Sequence, residues 1–341
     1  MKTYILTLAL FTFMTSLFGQ NNKSQKPFGL VIHGGAGTIL KTNLTPELEQ
    51  QYRDKLTEAI SAGYDILKKN GSSLDAVVAA ITIMEDSPLF NAGKGAVFTH
   101  EGTNELDASV MEGKTLKAGS VAAVRHIKNP ITLARLVMEK SPHVMMVGEG
   151  AEKFARDHGY EMMPVEYFRT ERRWKQLQDA LEKEKQDSIK KRQDEKNQPD
   201  TSDTKHGTVG CVALDMMGNL AAGTSTGGMT NKRFGRIGDA PIIGAGTYAN
   251  NKTCAVSATG DGEYFIRAVV AHDISNSMEY KGMPVEQAAE SVIEKVGNLG
   301  GTGGVIAIDN QGNIAMLFNT PGMYRAYIDK EGKVVVKIYK E

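Results

Sequence analysis

The sequence predicts an α+β fold built on mainly antiparallel sheets, and three features carry that expectation. Strand-like segments gather in a run in the last third of the chain, and helical segments also follow one another in runs. Short turns such as Met216-Met217-Gly218-Asn219 and Asp309-Asn310-Gln311-Gly312 separate alternating apolar segments, as hairpins require. The third is the lack of a regular strand–helix alternation or an internal repeat. The chain has 341 residues, 41% of them apolar, enough for one large domain with a sizeable core. Forty basic residues balance forty acidic ones, which argues against a general binder of nucleic acid or of anionic membranes.

The first segment stands apart. Lys2 supplies positive charge, residues 5–18 are almost wholly apolar, and Ser16-Leu17-Phe18-Gly19 offers small residues before Gln20. This pattern reads as a secretory signal peptide over 1–19, too short for a membrane span, and predicts export to the periplasm of a single domain at 20–341.

A buried strand at 28–32 then runs into His33-Gly34-Gly35-Ala36-Gly37. Thr45-Pro46-Glu47 combines a capping hydroxyl with proline at the first helical position and starts a helix that reaches about residue 69 and stops at Gly71. A second, mostly apolar helix follows at 73–85. Ser87-Pro88-Leu89-Phe90-Asn91-Ala92-Gly93-Lys94-Gly95 has no period and reads as a loop. Strands are expected at 96–99, 105–111 and 119–125, and helices at 130–140 and 149–158. From 166 to 205 the chain is polar and charged. Residues 171–193 could extend a helix, and 194–205 read as mobile, giving a charged tail over about 171–206. Strands are expected at 208–214, 219–224, 241–247 and 253–257. Helices follow at 263–280 and 285–296, and a hairpin joins 304–308 to 314–318. Cys211 and Cys254 both lie in strand-like apolar runs; buried free thiols are the default, with a disulfide left open. No Cys/His spacing suggests zinc.

The organising stretch is Gly207-Thr208, where a charge-dense segment meets an alternating apolar strand. Glycine leaves its carbonyl unshielded, so the Thr208 hydroxyl can attack it, shift the acyl group to oxygen and let water split the ester. The product chain would begin at Thr208 and carry nucleophile and base in one residue. An α-amine, with a pKa near 8, is roughly 300-fold more often neutral at pH 7 than a lysine. A Gly-Thr pair alone is usually only the start of a strand, so the flanking residues decide.

Thr224, Ser225 and Thr226 would place hydroxyls beside Thr208 if 208–214 and 219–226 pair. Arg236 and Asp239 offer a guanidinium and a carboxylate three residues apart, able to hold an amino-acid α-carboxylate and α-ammonium. Thr259-Gly260-Asp261-Gly262 combines a hydroxyl with accessible backbone N–H groups of the kind that stabilise an oxyanion. A rival is a serine esterase. Gly223-Thr224-Ser225-Thr226-Gly227 fits the serine elbow and His33-Gly34-Gly35 an oxyanion segment, but 227–231 does not begin a helix and only His272 follows Ser225. The run Gly244-Ala245-Gly246-Thr247-Tyr248-Ala249 matches a loose dinucleotide fingerprint without the helix it needs.

Taken together, these motifs resemble the plant-type L-asparaginases/isoaspartyl peptidases of the N-terminal nucleophile (Ntn) hydrolases. The resemblance covers nearly all of 28–341. It includes Ile32 to Gly37, Phe90-Asn91-Ala92-Gly93, Ser141 to Met146, Gly207-Thr208-Val209-Gly210, Thr224 to Lys232, Gly235 to Asp239, Gly301-Thr302-Gly303-Gly304 and Asn319 to Met323. It implies a four-layer αββα sandwich that cuts itself between Gly207 and Thr208 into an α subunit, 20–207, and a β subunit, 208–341, paired as an (αβ)2 dimer. By the same resemblance Thr208 is the nucleophile and its freed amine the base, with Thr226 orienting it and Asn91 nearby. Arg236 and Asp239 would clamp the aspartyl head group with the Gly262 carbonyl, and Thr259 and Gly260 would form the oxyanion hole. No cofactor is implied for catalysis. A structural Na+ or K+ could be held by main-chain oxygens of Met84, Glu85, Ser87, Phe90, Ala92 and Lys94. The implied substrates are asparagine and β-aspartyl dipeptides. Remaining rivals are a glycosylasparaginase, which usually has Asp before the threonine, and a non-catalytic amino-acid binder.

Overall fold

The computed structural model describes residues 27–193, 207–329 and 331–340. The expected signal peptide at 1–19 and the part of the charged tail beyond Gln193 lie outside the described residues.

The chain opens with β1 (Gly29–Gly37), then α1 (Pro46–Lys68) and α2 (Ser73–Glu85). Both helices start where the sequence supplies a cap: Thr45 Oγ1 accepts from Leu48 N at 3.2 Å and Ser72 Oγ from Asp75 N at 3.0 Å. Then follow β2 (Leu106–Glu112), β3 (Ala118–Val124), α3 (Pro130–Lys140), β4 (Met145–Val147), α4 (Gly148–Asp157) and α5 (Glu171–Gln193). The second half holds β5 (Val209–Leu214), β6 (Leu220–Thr226), β7 (Thr247–Ala249) and β8 (Cys254–Gly260). Helices α6 (Gly262–Ala268), α7 (Val270–Lys281) and α8 (Val285–Asn298) precede β9 (Gly303–Asp309), β10 (Ile314–Phe318), β11 (Gly322–Ile328) and β12 (Val334–Tyr339).

The strands form two sheets, ordered β12-β11-β1-β5-β6-β2-β3-β4 and β10-β9-β8-β7. Every pairing among them is antiparallel except β3 with β4. The period of two along each strand builds the layers. On β5, Val209, Cys211 and Ala213 pack into the core beneath α1, α2 and α3, whereas Val212 and Leu214 face the second sheet. On β9, Ile306 and Ile308 meet that inner face, and Val305 and Ala307 pack against α7 and α8. The result is the expected α+β, four-layer αββα sandwich. Each fully buried Val, Leu or Ile on these faces contributes about 1.5–3 kcal/mol.

Cys211 and Cys254 are free and buried, one in each outer core, with both sheets between them. No disulfide joins them.

Three expected elements differ. Residues 96–99 make only isolated bridges, Phe98 with Asn104 and Thr99 with Lys232, rather than a strand. The expected strand at 241–247 is a series of turns, because Pro241 lacks an N–H and Gly244 takes φ 91°. The expected helix at 263–280 breaks at Val269, which is left-handed at φ 51°, ψ 47°. The break lets the first N–H groups of α7 bond outward: Ala271 N donates to Ala245 O and His272 N to Gly244 O. A tertiary contact therefore outweighs helical continuity.

Candidate active site

The β5–β6 ladder runs from Leu214–Leu220 to Val209–Ser225, which sets Thr208 opposite Thr226 at the open end. Thr208 Oγ1 donates to Thr226 Oγ1 at 3.0 Å, and Thr226 Oγ1 also accepts from Gly228 N at 3.1 Å. Thr208 is nearly buried, so its hydroxyl is aimed rather than mobile.

Asn91 ties the segments around the Gly207–Thr208 bond. Its N–H donates to Gly207 O at 2.9 Å, its carbonyl accepts from Gly227 N at 3.0 Å, and Nδ2 donates to Gly228 O at 2.7 Å. Its Oδ1 accepts from Val97 N at 2.9 Å. The first of these bonds reaches the oxygen on which negative charge develops if Thr208 attacks Gly207. A β-carbon at Gly207 would lie 2.8 Å from Asn91 Cβ, so glycine is what this approach permits.

One small cleft brings together Thr208, Thr226, Arg236, Asp239 and Gly260, lined also by Gly228, Met229 and Gly238. Gly262 closes against Arg236 and Asp239: a β-carbon there would meet Arg236 Nη2 at 2.8 Å and Asp239 N at 2.9 Å. Thr259, on β8, is fully buried, and its Oγ1 accepts from Ala36 N at 3.3 Å. Asp261 turns away, its carboxylate accepting from Thr302 N at 2.7 Å and Thr302 Oγ1 at 2.8 Å. Arg236 is held from one side by Glu263, through Nε–Oε1 and Nη2–Oε2 contacts of 2.8 Å each. Sequence reasoning missed Glu263; its place beside Gly262 in the first turn of α6 was the available signal.

The serine-elbow reading is overturned. Ser225 lies inside β6, its Oγ donates to Glu85 Oε1 at 2.6 Å, and no helix follows it. His272 sits in α7 against Tyr248 instead. The 244–249 run likewise enters a short strand, not a nucleotide-binding helix.

A buried polar chain behind Thr208 was also missed. His33 Nδ1 lies 3.1 Å from Thr208 O, and His33 Nε2 lies 3.0 Å from Ser257 Oγ. Ser257 Oγ meets Thr224 Oγ1 at 2.7 Å, which accepts from Thr247 Oγ1 at 2.6 Å, which accepts from Ser109 Oγ at 2.8 Å. Burial holds His33 neutral, its pKa down to about 3, so Nδ1–H donates to the Thr208 carbonyl. Gly210 makes room for this chain: a β-carbon there would sit 2.0 Å from Ser257 Oγ and 2.2 Å from His33 Nε2. Gly210→Ala is expected to cost about 2–4 kcal/mol, from overpacking plus lost buried hydrogen bonds, measured as a fall in the urea midpoint at unchanged slope.

Two buried groups give opposite pH dependences. Unfolded His33 binds a proton near pH 6.5 and folded His33 only near 3, so its contribution is lost as pH falls from 6.5. Burial pushes Glu85 up to about 8 against 4.5 unfolded, so its contribution is lost as pH rises from 4.5 toward 8. Each slope is at most about 1.4 kcal/mol per pH unit. Between pH 4.5 and 6.5 they oppose. Denaturant unfolding across this window is expected to give rising stability with pH in Glu85→Gln and falling stability in His33→Gln.

Beside Thr226 on β2 lies buried Asp107, which accepts from Ala123 N at 2.8 Å. Burial raises its pKa, opposed by Lys232 and Arg236. Lys232, also buried, pairs with Glu105 at 3.4 Å.

A four-layer αββα stack with a threonine at the head of a central strand, its hydroxyl held by a second threonine, defines an Ntn-type hydrolase. The asparaginase family matches residues 25–338, and the chain belongs to that family. It is 51% identical to the isoaspartyl peptidase of Escherichia coli (strain K12), over 92% of this chain and 96% of that protein. It is 44% identical to the isoaspartyl peptidase/L-asparaginase of Mus musculus over 89% of each chain. Against the isoaspartyl peptidase/L-asparaginase of Xenopus laevis it is 41% identical, over 91% and 94%.

Proposed function

We propose that this protein is a self-cleaving threonine amidohydrolase that acts on the side-chain amide of L-asparagine and the isopeptide bond of β-aspartyl dipeptides, releasing L-aspartate. The observation that carries this reading is the placement of Thr208, hydrogen-bonded to Thr226, in one cleft with Arg236 and Asp239. Membership of the asparaginase family and the names of the relatives support the substrate class. Thr208 Oγ first attacks Gly207, the acyl shift from nitrogen to oxygen frees the Thr208 amine, and hydrolysis of the ester restores the Thr208 hydroxyl. That amine then takes the hydroxyl proton as Oγ attacks the β-carbonyl of the aspartyl group. Arg236 binds the α-carboxylate, while Asp239 and the Gly262 carbonyl bind the α-ammonium. Thr259 and Gly260 stabilise the oxyanion, the leaving amine departs protonated, and water releases aspartate. The glycosylasparaginase alternative fits less well, because Asn91 crowds any side chain at position 207.

The products of self-cleavage, 20–207 and 208–341, pair as an (αβ)2 assembly in this reading, and the chain is exported to the periplasm on the segment 1–19. The same reading extends to a structural Na+ or K+ held by main-chain oxygens of the 84–94 loop, whose backbone is tightly folded. A β-carbon at Gly93 would meet Glu85 O at 2.4 Å, and one at Gly95 would meet Phe90 O at 2.0 Å. The cation's role there is to order the loop that carries Asn91.

The test is a denaturing gel of the purified protein with N-terminal sequencing, followed by assays of ammonia release from asparagine and of β-aspartyl dipeptide hydrolysis. Two fragments, one starting at Thr208, with either activity, support the proposal. An uncut, inactive chain after long incubation refutes it.

A further inference from the structure

Gly207 also lines a second, larger cleft, of about 270 Å³, which does not include Thr208. Tyr52, Phe90 and Tyr324 form part of its wall, with Arg172 and Arg173 from the first turn of α5. Arg173 is only 4% exposed. Its Nε donates to Gly95 O at 2.7 Å and its Nη1 to Gln176 Oε1 at 3.0 Å, while Arg172 Nη1 donates to Tyr52 OH at 2.9 Å. All these acceptors are neutral, and among the described residues no carboxylate pairs with either guanidinium. Burial and the neighbouring Arg172 lower the Arg173 pKa to about 10, which leaves it charged at neutral pH. A buried cation without a counter-charge costs several kcal/mol, and a helix N-terminus adds further positive potential. The cleft is therefore built for an anion.

We propose that this cleft is a carboxylate-binding site, and that its occupant is the C-terminal carboxylate of Gly207 created by self-cleavage. The inference rests on the self-cleavage reading. In that reaction Thr208 Oγ bonds to the Gly207 carbonyl carbon and the Gly207 C–Thr208 N bond breaks, the nitrogen taking the hydroxyl proton. Water then hydrolyses the ester, which restores the Thr208 hydroxyl and leaves a free amine, a Gly207 carboxylate and a proton. The new charge appears on the wall of the cleft, with one oxygen already beside Asn91 N. The arginines thus stabilise the cut chain and not its precursor, and they tether the end that must leave the mouth of the active site.

The experiment compares wild type, Arg172→Gln/Arg173→Gln and Arg173→Lys, labelled with [1-13C]glycine, by following the Gly207 carboxylate resonance from pH 7 to pH 4. In wild type and Arg173→Lys the resonance is expected to stay unmoved at pH 4. In the double variant it shifts toward the protonated position, as a terminal carboxyl with a pKa of about 3.5 would. If the double variant fails to fold, Arg172→Gln, at an exposed position, is expected to give an intermediate shift. The same proteins are assayed on β-aspartyl-leucine and asparagine. Ordinary Gly207 titration in wild type, with a fivefold or greater rise in KM for the dipeptide alone in the double variant, assigns the site to the leaving residue's α-carboxylate. Ordinary titration with both KM values unchanged overturns the proposal. An uncut wild-type chain would sink the self-cleavage reading separately, and N-acetylglycine then becomes the probe. Saturable shifts of the Arg173 Nε resonance that vanish in Arg173→Gln retain the carboxylate site, and their absence removes it.

Discussion

Thr208→Ala is expected to leave one uncut chain and to lower asparagine and β-aspartyl dipeptide hydrolysis by about 10⁴-fold or more, to background. Both effects follow from one atom. In the proposed mechanism the hydroxyl held 3.0 Å from Thr226 Oγ1 attacks Gly207 and, later, substrate. Fold and stability should change little, because the site lies at the end of the β5–β6 ladder and removing Oγ1 leaves Thr226 its bond from Gly228 N. Thr208→Ser keeps the oxygen and should cut itself and retain measurable turnover. The checks are a denaturing gel over several days and steady-state rates on the same samples. Full activity in an uncut Thr208→Ala protein would remove threonine chemistry from the site.

Arg236→Leu is expected to be the most damaging change that leaves self-cleavage intact. It removes a charge-assisted contact to the substrate α-carboxylate worth about 3 kcal/mol, equivalent to roughly 100- to 1,000-fold in kcat/KM. Glu263 orients the guanidinium through a two-point contact, and the partial burial of Arg236 makes that orientation count. Arg236→Lys should recover little, since an ammonium cannot serve a carboxylate on each side with a rigid fork. Glu263→Gln should raise KM while changing kcat less, because it loosens the clamp without removing it. Steady-state kinetics on asparagine, with the cut confirmed for each variant, separates these outcomes. Equal kcat/KM in wild type and Arg236→Leu would show that the head group binds elsewhere.

Much of the site was legible because its geometry is local. Thr208 precedes β5 and Thr226 ends β6, and a five-residue connection, 215–219, joins these strands, so a hairpin register inferred from alternation already sets the two threonines face to face. Arg236 and Asp239 were legible as a pair from their types and spacing, whereas the place of Gly262 beside them was reached only through the resemblance, because that contact joins separate parts of the chain. His33 was not legible as a partner of Thr208. Its role arises from the β1–β5 pairing, across 175 residues, and a lone histidine after a strand carries no sign of what it will face. Glycine at 210 was a hint, since an interior strand glycine marks a close approach. The break at Val269 was invisible for the same reason, as its cause is the 244–245 loop. Strands β11 and β12 had a signal that went unused: Val334-Val335-Val336 is a β-branched run, and 322–328 is bounded by glycine and aspartate.

The order of the large sheet decides what a cut before Thr208 can do to the molecule. Strands from the two sides of the cut are shuffled: β12 and β11 come from after it, β1 from before, β5 and β6 from after, and β2, β3 and β4 from before. Pulling the fragments apart would require unzipping β11 from β1, β1 from β5 and β6 from β2, all at once. They are meshed like the teeth of two combs. Scission therefore frees a chain end without loosening the body, and reassembly from separately made halves should be slow, because neither half holds the strands of the large sheet in unbroken order and the pairings between halves must form together.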